Sequence, residues 1–190
     1  MGKRLLALLP LVAAALLYAG PSQGIVNGTL DGNLHPEVGA LIAEFQPGEK
    51  DVLCSGTLIA PQVYLTAAHC TNYLASLGIT DVWVTFDSQF TAKSKLIHGS
   101  YVTDPAYNAY AGPGGSSDPH DLAVVLLDQA ATGITPASLP TQNLLNTIDL
   151  PSQTFTAVGY GTVRVDKTGG PNAFFFDSTR RFATQFFRRG

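Results

Sequence analysis

Along the chain, apolar positions come in short runs broken by glycine, proline and small polar residues. Val38-Gly-Ala-Leu-Ile-Ala-Glu-Phe45 and Val52-Leu-Cys-Ser-Gly-Thr-Leu-Ile59 flank Gln46-Pro-Gly-Glu-Lys50, which predicts a hairpin closed by a Pro-Gly turn. Val63 to Thr66 predicts a further short strand, and Ala67-Ala-His-Cys70 a single helical turn. Asp81 to Phe86 and Lys93 to His98 alternate between apolar and polar, the period of half-buried strands. Leu122-Ala-Val-Val-Leu-Leu127 is apolar throughout and predicts a strand buried on both faces. Residues 111–119 have loop composition, and residues 128–153, rich in Thr, Pro, Gln and Asn, read as a connector. Two strands are expected beyond it, Phe155 to Gly161 and Arg181 to Phe186. Short strands at this spacing place the chain among all-β barrels or sandwiches.

Composition agrees: 45% apolar and 13% charged residues suffice for a core, and 19 glycines with 12 prolines supply turns. The first 24 residues depart from the rest. Lys3 and Arg4 precede an apolar run from Leu5 to Ala19, and Ser22-Gln-Gly24 offers small residues for cleavage, the layout of a secretory signal. At 15 residues the run is shorter than the roughly 20 that cross a bilayer. No stable membrane anchor is therefore expected. Its removal leaves 9 basic against 14 acidic residues, a net charge of about −5. No basic patch points to nucleic acid. The late cluster Arg180, Arg181, Arg188 and Arg189 reads as a solvated strand face.

Export implies an oxidising compartment, where Cys54 and Cys70, with no third cysteine to compete, are expected to pair. The loop they close ends beside His69, and would fix the backbone that aims the imidazole. Taken alone, His69 could equally be a surface histidine next to a structural disulfide. His35, His98 and His120 lack metal-ligand spacing, so neither a metal nor any other cofactor is expected.

The surrounding strings decide between those readings. Leu65-Thr-Ala-Ala-His-Cys70 resembles the histidine motif of the trypsin/chymotrypsin family at every position. Ile25-Val-Asn-Gly28 is similar to that family's mature amino terminus, usually Ile-Val-Gly-Gly, with Asn27 the departure. Cys54-Ser-Gly-Thr-Leu-Ile59 resembles the strand entering the histidine loop, and His120-Asp-Leu-Ala-Val-Val-Leu-Leu127 the segment bearing the catalytic aspartate. Val158-Gly-Tyr-Gly161 is similar to a turn early in the second barrel. The matches run in family order from residue 25 to about 187.

This resemblance implies a chymotrypsin-like double Greek-key β-barrel, the first barrel complete and the second only begun. It divides the chain into a signal peptide (1–24), a first barrel with His69 and Asp121 (25–150) and an incomplete second barrel (151–190). His69 would be general base and acid, with Asp121 orienting it. The implied function is that of a secreted serine endopeptidase acting on proteins or peptides. Ser22-Gln-Gly24 directly precedes Ile25 and offers no Arg or Lys for an activating cut, so signal peptidase itself is expected to expose the mature terminus.

The serine is where the chain departs from the family. It contains no Gly-Asp-Ser-Gly-Gly string. None of Ser55, Ser116, Ser117 and Ser178 has glycines arranged to let backbone N–H groups form an oxyanion hole beside it. The expectation is therefore an amino-terminal fragment, inactive as it stands. The alternative is a catalytically dead homologue that acts as a binding protein.

Overall fold

A computed structural model describes residues 28–111, 118–164 and 174–186. The expected leader, Ile25, Asn27, Ser116, Ser117, Arg188 and Arg189 lie outside the described residues.

Six antiparallel strands close a barrel in the order β2-β3-β4-β7-β6-β5. They are β2 (Val38–Gln46), β3 (Glu49–Ala60), β4 (Val63–Thr66), β5 (Asp81–Thr85), β6 (Ile97–Thr103) and β7 (Ala123–Leu127). The predicted hairpin is present, with longer arms and Pro47-Gly48 alone at its tip. Gly48 sits at φ +85°, where a residue without Cβ is unstrained. Leu41, Leu58, Tyr64, Val82, Val84 and Val125 meet inside the barrel, each fully buried.

A second sheet has the order β1-β11-β8, built from β1 (Thr29–Leu30), β11 (Arg181–Phe186) and β8 (Thr154–Gly159). A short pair, β9 (Val163–Arg164) with β10 (Phe174–Phe175), stands beside it in sequence. Thr29 and Leu30 thus pair with Phe182 and Arg181 rather than with the barrel strands that follow them. Between the two sheets run a short helix, α2 (Leu144–Thr147), and a 3-10 turn at Leu150–Ser152.

Four local expectations are corrected. The helical turn at Ala67 grows into a nine-residue helix, α1 (Ala68–Ser76), because Leu74 reaches the barrel core and stabilises the added turns. Lys93 to Leu96 is not strand: Ser94 N–H turns back to the Thr91 carbonyl, and Lys95 N–H donates to Asp87 Oδ2 at 3.1 Å. Pairing begins at Ile97, opposite Val84. The apolar run at Leu122 buries one face only, since Ala123, Val125 and Leu127 point inward while Leu126 is 46% exposed. Arg180 is not solvated at all but fully buried.

That arginine joins the two sheets. Its Nε donates to Asp31 Oδ2 at 2.7 Å, and its guanidinium also donates to the carbonyls of Val38, Phe86 and Gly32. Its own backbone N–H bonds the Ser88 carbonyl at 2.7 Å. A second joint lies at Tyr160, whose N–H donates to Ser55 Oγ at 2.8 Å. Burial pushes the Tyr160 phenol up to about 12, so it stays a donor, here to the Asp87 carbonyl.

Gly56 lies at the tightest point of β3. A Cβ there would run into the Leu65 carbonyl oxygen and come within 2.6 Å of Tyr64 Cζ. The ring cannot swing away, because it is fully buried and its hydroxyl donates to the Gly39 carbonyl at 2.8 Å. Gly56→Ala is expected to cost about 3 kcal/mol, the upper end of overpacking penalties. Urea unfolding would measure it, and a cost below about 1 kcal/mol would mean that β3 and β4 part easily.

Candidate active site

His69 is the second residue of α1, where backbone N–H groups have no partner within the helix. The residue before the helix, Ala67, offers no side-chain cap. Asp121 fills that gap from 52 positions away: its Oδ1 accepts the His69 backbone N–H at 2.8 Å. The other oxygen, Oδ2, lies 2.8 Å from His69 Nδ1. One carboxylate therefore caps the helix and grips the ring that the helix carries. A negative charge at a helix amino terminus is favoured by the helix dipole as well.

Asp121 is presented by a tight turn two residues before β7. His120 sits at φ +50°, with its N–H on Asp118 Oδ1 at 2.9 Å and its carbonyl accepting from Leu122 N–H. That turn aims the carboxylate away from the strand and toward α1. Burial pushes the Asp121 carboxyl up, but the hydrogen bonds from the His69 ring and backbone outweigh it and hold the group below its ordinary value. It is thus an anion at neutral pH. An anionic acceptor at Nδ1 places that nitrogen's proton toward Asp121 and leaves the Nε2 lone pair available. No hydrogen bond to Nε2 comes from the described residues.

Cys54 in β3 and Cys70 in α1 form a disulfide. It ties the residue after His69 to the barrel wall. The two sulfurs and the His69 ring lie within 4.8 Å of one another, but a disulfide sulfur is no thiolate and makes a poor metal ligand. Ser55, next to Cys54, is occupied: its Oγ accepts from Tyr160, and its carbonyl accepts from Thr66 Oγ1 at 3.0 Å. Ser178 lies at φ +52° in the loop that meets Phe90, where its carbonyl accepts the Phe90 N–H.

The structure brings together His69, Asp121, Cys54 and Cys70, the residues that the sequence reading named. What that reading missed is the supporting set: Asp118 and His120, which shape the turn, and Ser55, which links the site to the second sheet. Asp118-Pro-His-Asp121 carries a faint signal, since an aspartate two residues before a positive-φ position is common turn chemistry.

A helix-borne histidine is thus held by an aspartate ahead of a barrel strand, with a disulfide beside it. The sequence model of the family Trypsin matches residues 35–173. The chain belongs to the trypsin family.

Among curated relatives of this trypsin-family chain, a venom serine protease of Polistes dominula is 28% identical over 158 residues, covering 77% of the chain. The chain spans about half of that relative's length, 52%. The thrombin-like enzyme okinaxobin-1 of Ovophis okinavensis is 40% identical over 81 residues, 42% of the chain and 79% of that protein. The solved structure of HL collagenase aligns with a TM-score of 0.60 at 19% identity, covering 85% of the chain and 62% of the collagenase. That of GrC aligns with a TM-score of 0.59 at 20% identity, covering 84% and 63%. These structural likenesses carry the fold: a mostly β, chymotrypsin-like protein with one closed barrel and a second, partial sheet.

Proposed function

We propose that this chain is the histidine- and aspartate-bearing part of a secreted trypsin-like serine endopeptidase acting on protein or peptide substrates. The observation that supports it is the doubly engaged Asp121, which fixes His69 in position and in tautomer together. In this reading Nε2 takes the proton of a nucleophilic serine and returns it to the leaving amine. Asp121 steadies the imidazolium that forms between those steps. Residues 1–24 serve as the leader, Ile25 begins the mature protein, residues 25–150 carry the first barrel and 151–190 open the second.

The nucleophile is not in this sequence. Without one, acyl transfer has no first step, so the 190 residues alone are proposed to be inactive.

The test reads the coding DNA beyond Gly190 and expresses both residues 25–190 and the continued chain, each from Ile25. The expected continuation contains a Gly-Asp-Ser-Gly-Gly segment. Its product should react with a fluorophosphonate probe and lose peptide hydrolysis on His69→Ala. Residues 25–190 should do neither. A stop codon after Gly190, with a soluble folded product, would favour the binding-protein alternative instead. Turnover by residues 25–190 that His69→Ala abolishes would overturn the proposed inactivity.

A further inference from the structure

His98, in β6, has a carboxylate at each ring nitrogen. Nδ1 lies 2.6 Å from Asp128 Oδ2, and Nε2 lies 3.0 Å from Asp81 Oδ1. Asp81 opens β5 and Asp128 directly follows β7, so the ring spans three neighbouring barrel strands. Carboxylates at neutral pH only accept hydrogen bonds, whereas a neutral imidazole has one N–H and one lone pair. A neutral ring here would set its lone pair against one of the two anions. Only the imidazolium gives both oxygens a proton. The other described histidines differ: His35 and His69 each meet one carboxylate, through Nδ1, and His120 stands 3.9 Å from Asp104.

We infer that Asp81, His98 and Asp128 form a pH-operated clamp at one end of the barrel, closed by protonated His98 and opened when the ring loses a proton.

The surrounding charges favour closure. From β5 come Asp81 and the Trp83 ring, which stands 5.5 Å from the His98 ring, edge to face. From the end of β7 comes Asp128, whose backbone N–H also donates to the His98 carbonyl at 2.9 Å. From β3 comes Lys50, its Nζ 4.1 Å from the Trp83 ring centre, and from β2 comes Glu44, which pairs with that lysine at 2.6 Å. Lys50 is thus matched by its own anion, leaving two carboxylates to act on His98. Their hydrogen bonds, Asp128 first and then Asp81, raise the His98 pKa above its ordinary 6.5, against a smaller opposing effect of burial.

The sign follows from linkage. A group whose pKa is higher folded than unfolded contributes stability below the unfolded value, and loses it as pH rises through the folded value. The ring is 39% exposed, so water screens the pair and the contribution is modest. What it controls is local. Asp81, Trp83 and His98 line an open cavity of about 510 Å³ together with Phe45 and Pro47 of the hairpin tip. Asp81 also ends the connection Leu77–Thr80, which leaves α1, the helix that holds His69. Opening the clamp makes the cavity wall more negative and frees one anchor of that connection.

The test follows the histidine ring nitrogens by NMR in the full secreted chain from pH 5 to 9, for wild type, Asp128→Asn and Asp81→Asn. His98 is expected to titrate above 6.5 and to carry protons on both nitrogens at its acidic side. Each substitution should lower that midpoint, Asp128→Asn the more. In urea unfolding, Asp128→Asn should lower the midpoint at about pH 6 and leave it unchanged at about pH 8.5. Asp81→Asn, on a different strand, repeats the measurement should Asp128→Asn disturb the turn after β7. A His98 midpoint at or below 6.5, a midpoint unmoved by either substitution, or a stability penalty independent of pH would each overturn the clamp.

Discussion

Replacing Asp31 with alanine is expected to destabilise the folded chain by about 3–5 kcal/mol, the cost of stranding a buried charge. Both side chains of the Asp31–Arg180 pair are 0% exposed. The guanidinium cannot regain water without separating the second sheet from the barrel, because it also holds the carbonyls of Val38, Phe86 and Gly32. Asp31 in turn accepts from the His35 backbone and faces its ring. Burial pushes the Asp31 carboxyl up, but its bonds with His35 and Arg180 prevail and hold it below its ordinary 3.8. Its contribution is therefore present above that value and lost as pH falls through the lower folded one.

Arg180→Lys should recover little of an Arg180→Ala loss. An ammonium is a point donor and cannot reproduce the planar fork that meets a carboxylate and three carbonyls at once. The measurement is urea unfolding of the oxidised chain, with a double-mutant cycle between Asp31→Ala and Arg180→Ala. Removing both should cost less than the two single losses summed, since neither leaves the other's charge unpaired. A loss below about 1 kcal/mol for Asp31→Ala, or strict additivity, would show that the pair is not buried in solution.

The second large effect concerns the Cys54–Cys70 disulfide. Its removal by Cys54→Ala with Cys70→Ala is expected to cost on the order of 3 kcal/mol, within the 2–5 usual for a native disulfide. The sulfurs are 16 positions apart in sequence, a loop long enough for its closure to restrict the unfolded chain appreciably. Cys70 is also nearly fully buried, packed with Leu74 and the barrel residues, so alanine leaves a small void there. Because Cys70 follows His69 in α1, the loss should appear locally too, as weaker protection of the His69 amide that Asp121 holds. Peptide mapping without reduction should recover the linked pair. Two alkylatable thiols in folded, secreted protein, or a variant as stable as the wild type, would refute this.

The sequence by itself determined the elements whose cause is local. The β2–β3 hairpin was legible because Pro47-Gly48 can form the turn and the flanks carry apolar residues of strand type. The histidine segment was legible because its string from Leu65 to Cys70 is specific. Helix α1 came out too short in the sequence reading, since the reason it continues to Ser76 is Leu74 docking into a core assembled by distant strands. Lys93 to Leu96 showed a strand's alternation, yet Asp87 and Thr91 draw its backbone into a turn instead.

Tertiary structure alone decided the rest. That one carboxylate at position 121 both caps α1 and grips its histidine depends on residues 52 positions apart meeting once the barrel closes. Arg180 looked like a surface charge because nothing near it in sequence differs from a solvated strand end. Its partner, Asp31, lies 149 positions away, and the low-dielectric site where they meet exists only once the second sheet lies against the first barrel. Periodicity and motif report what neighbouring residues require of each other, whereas burial of a charge is set by chain segments that no local pattern brings together.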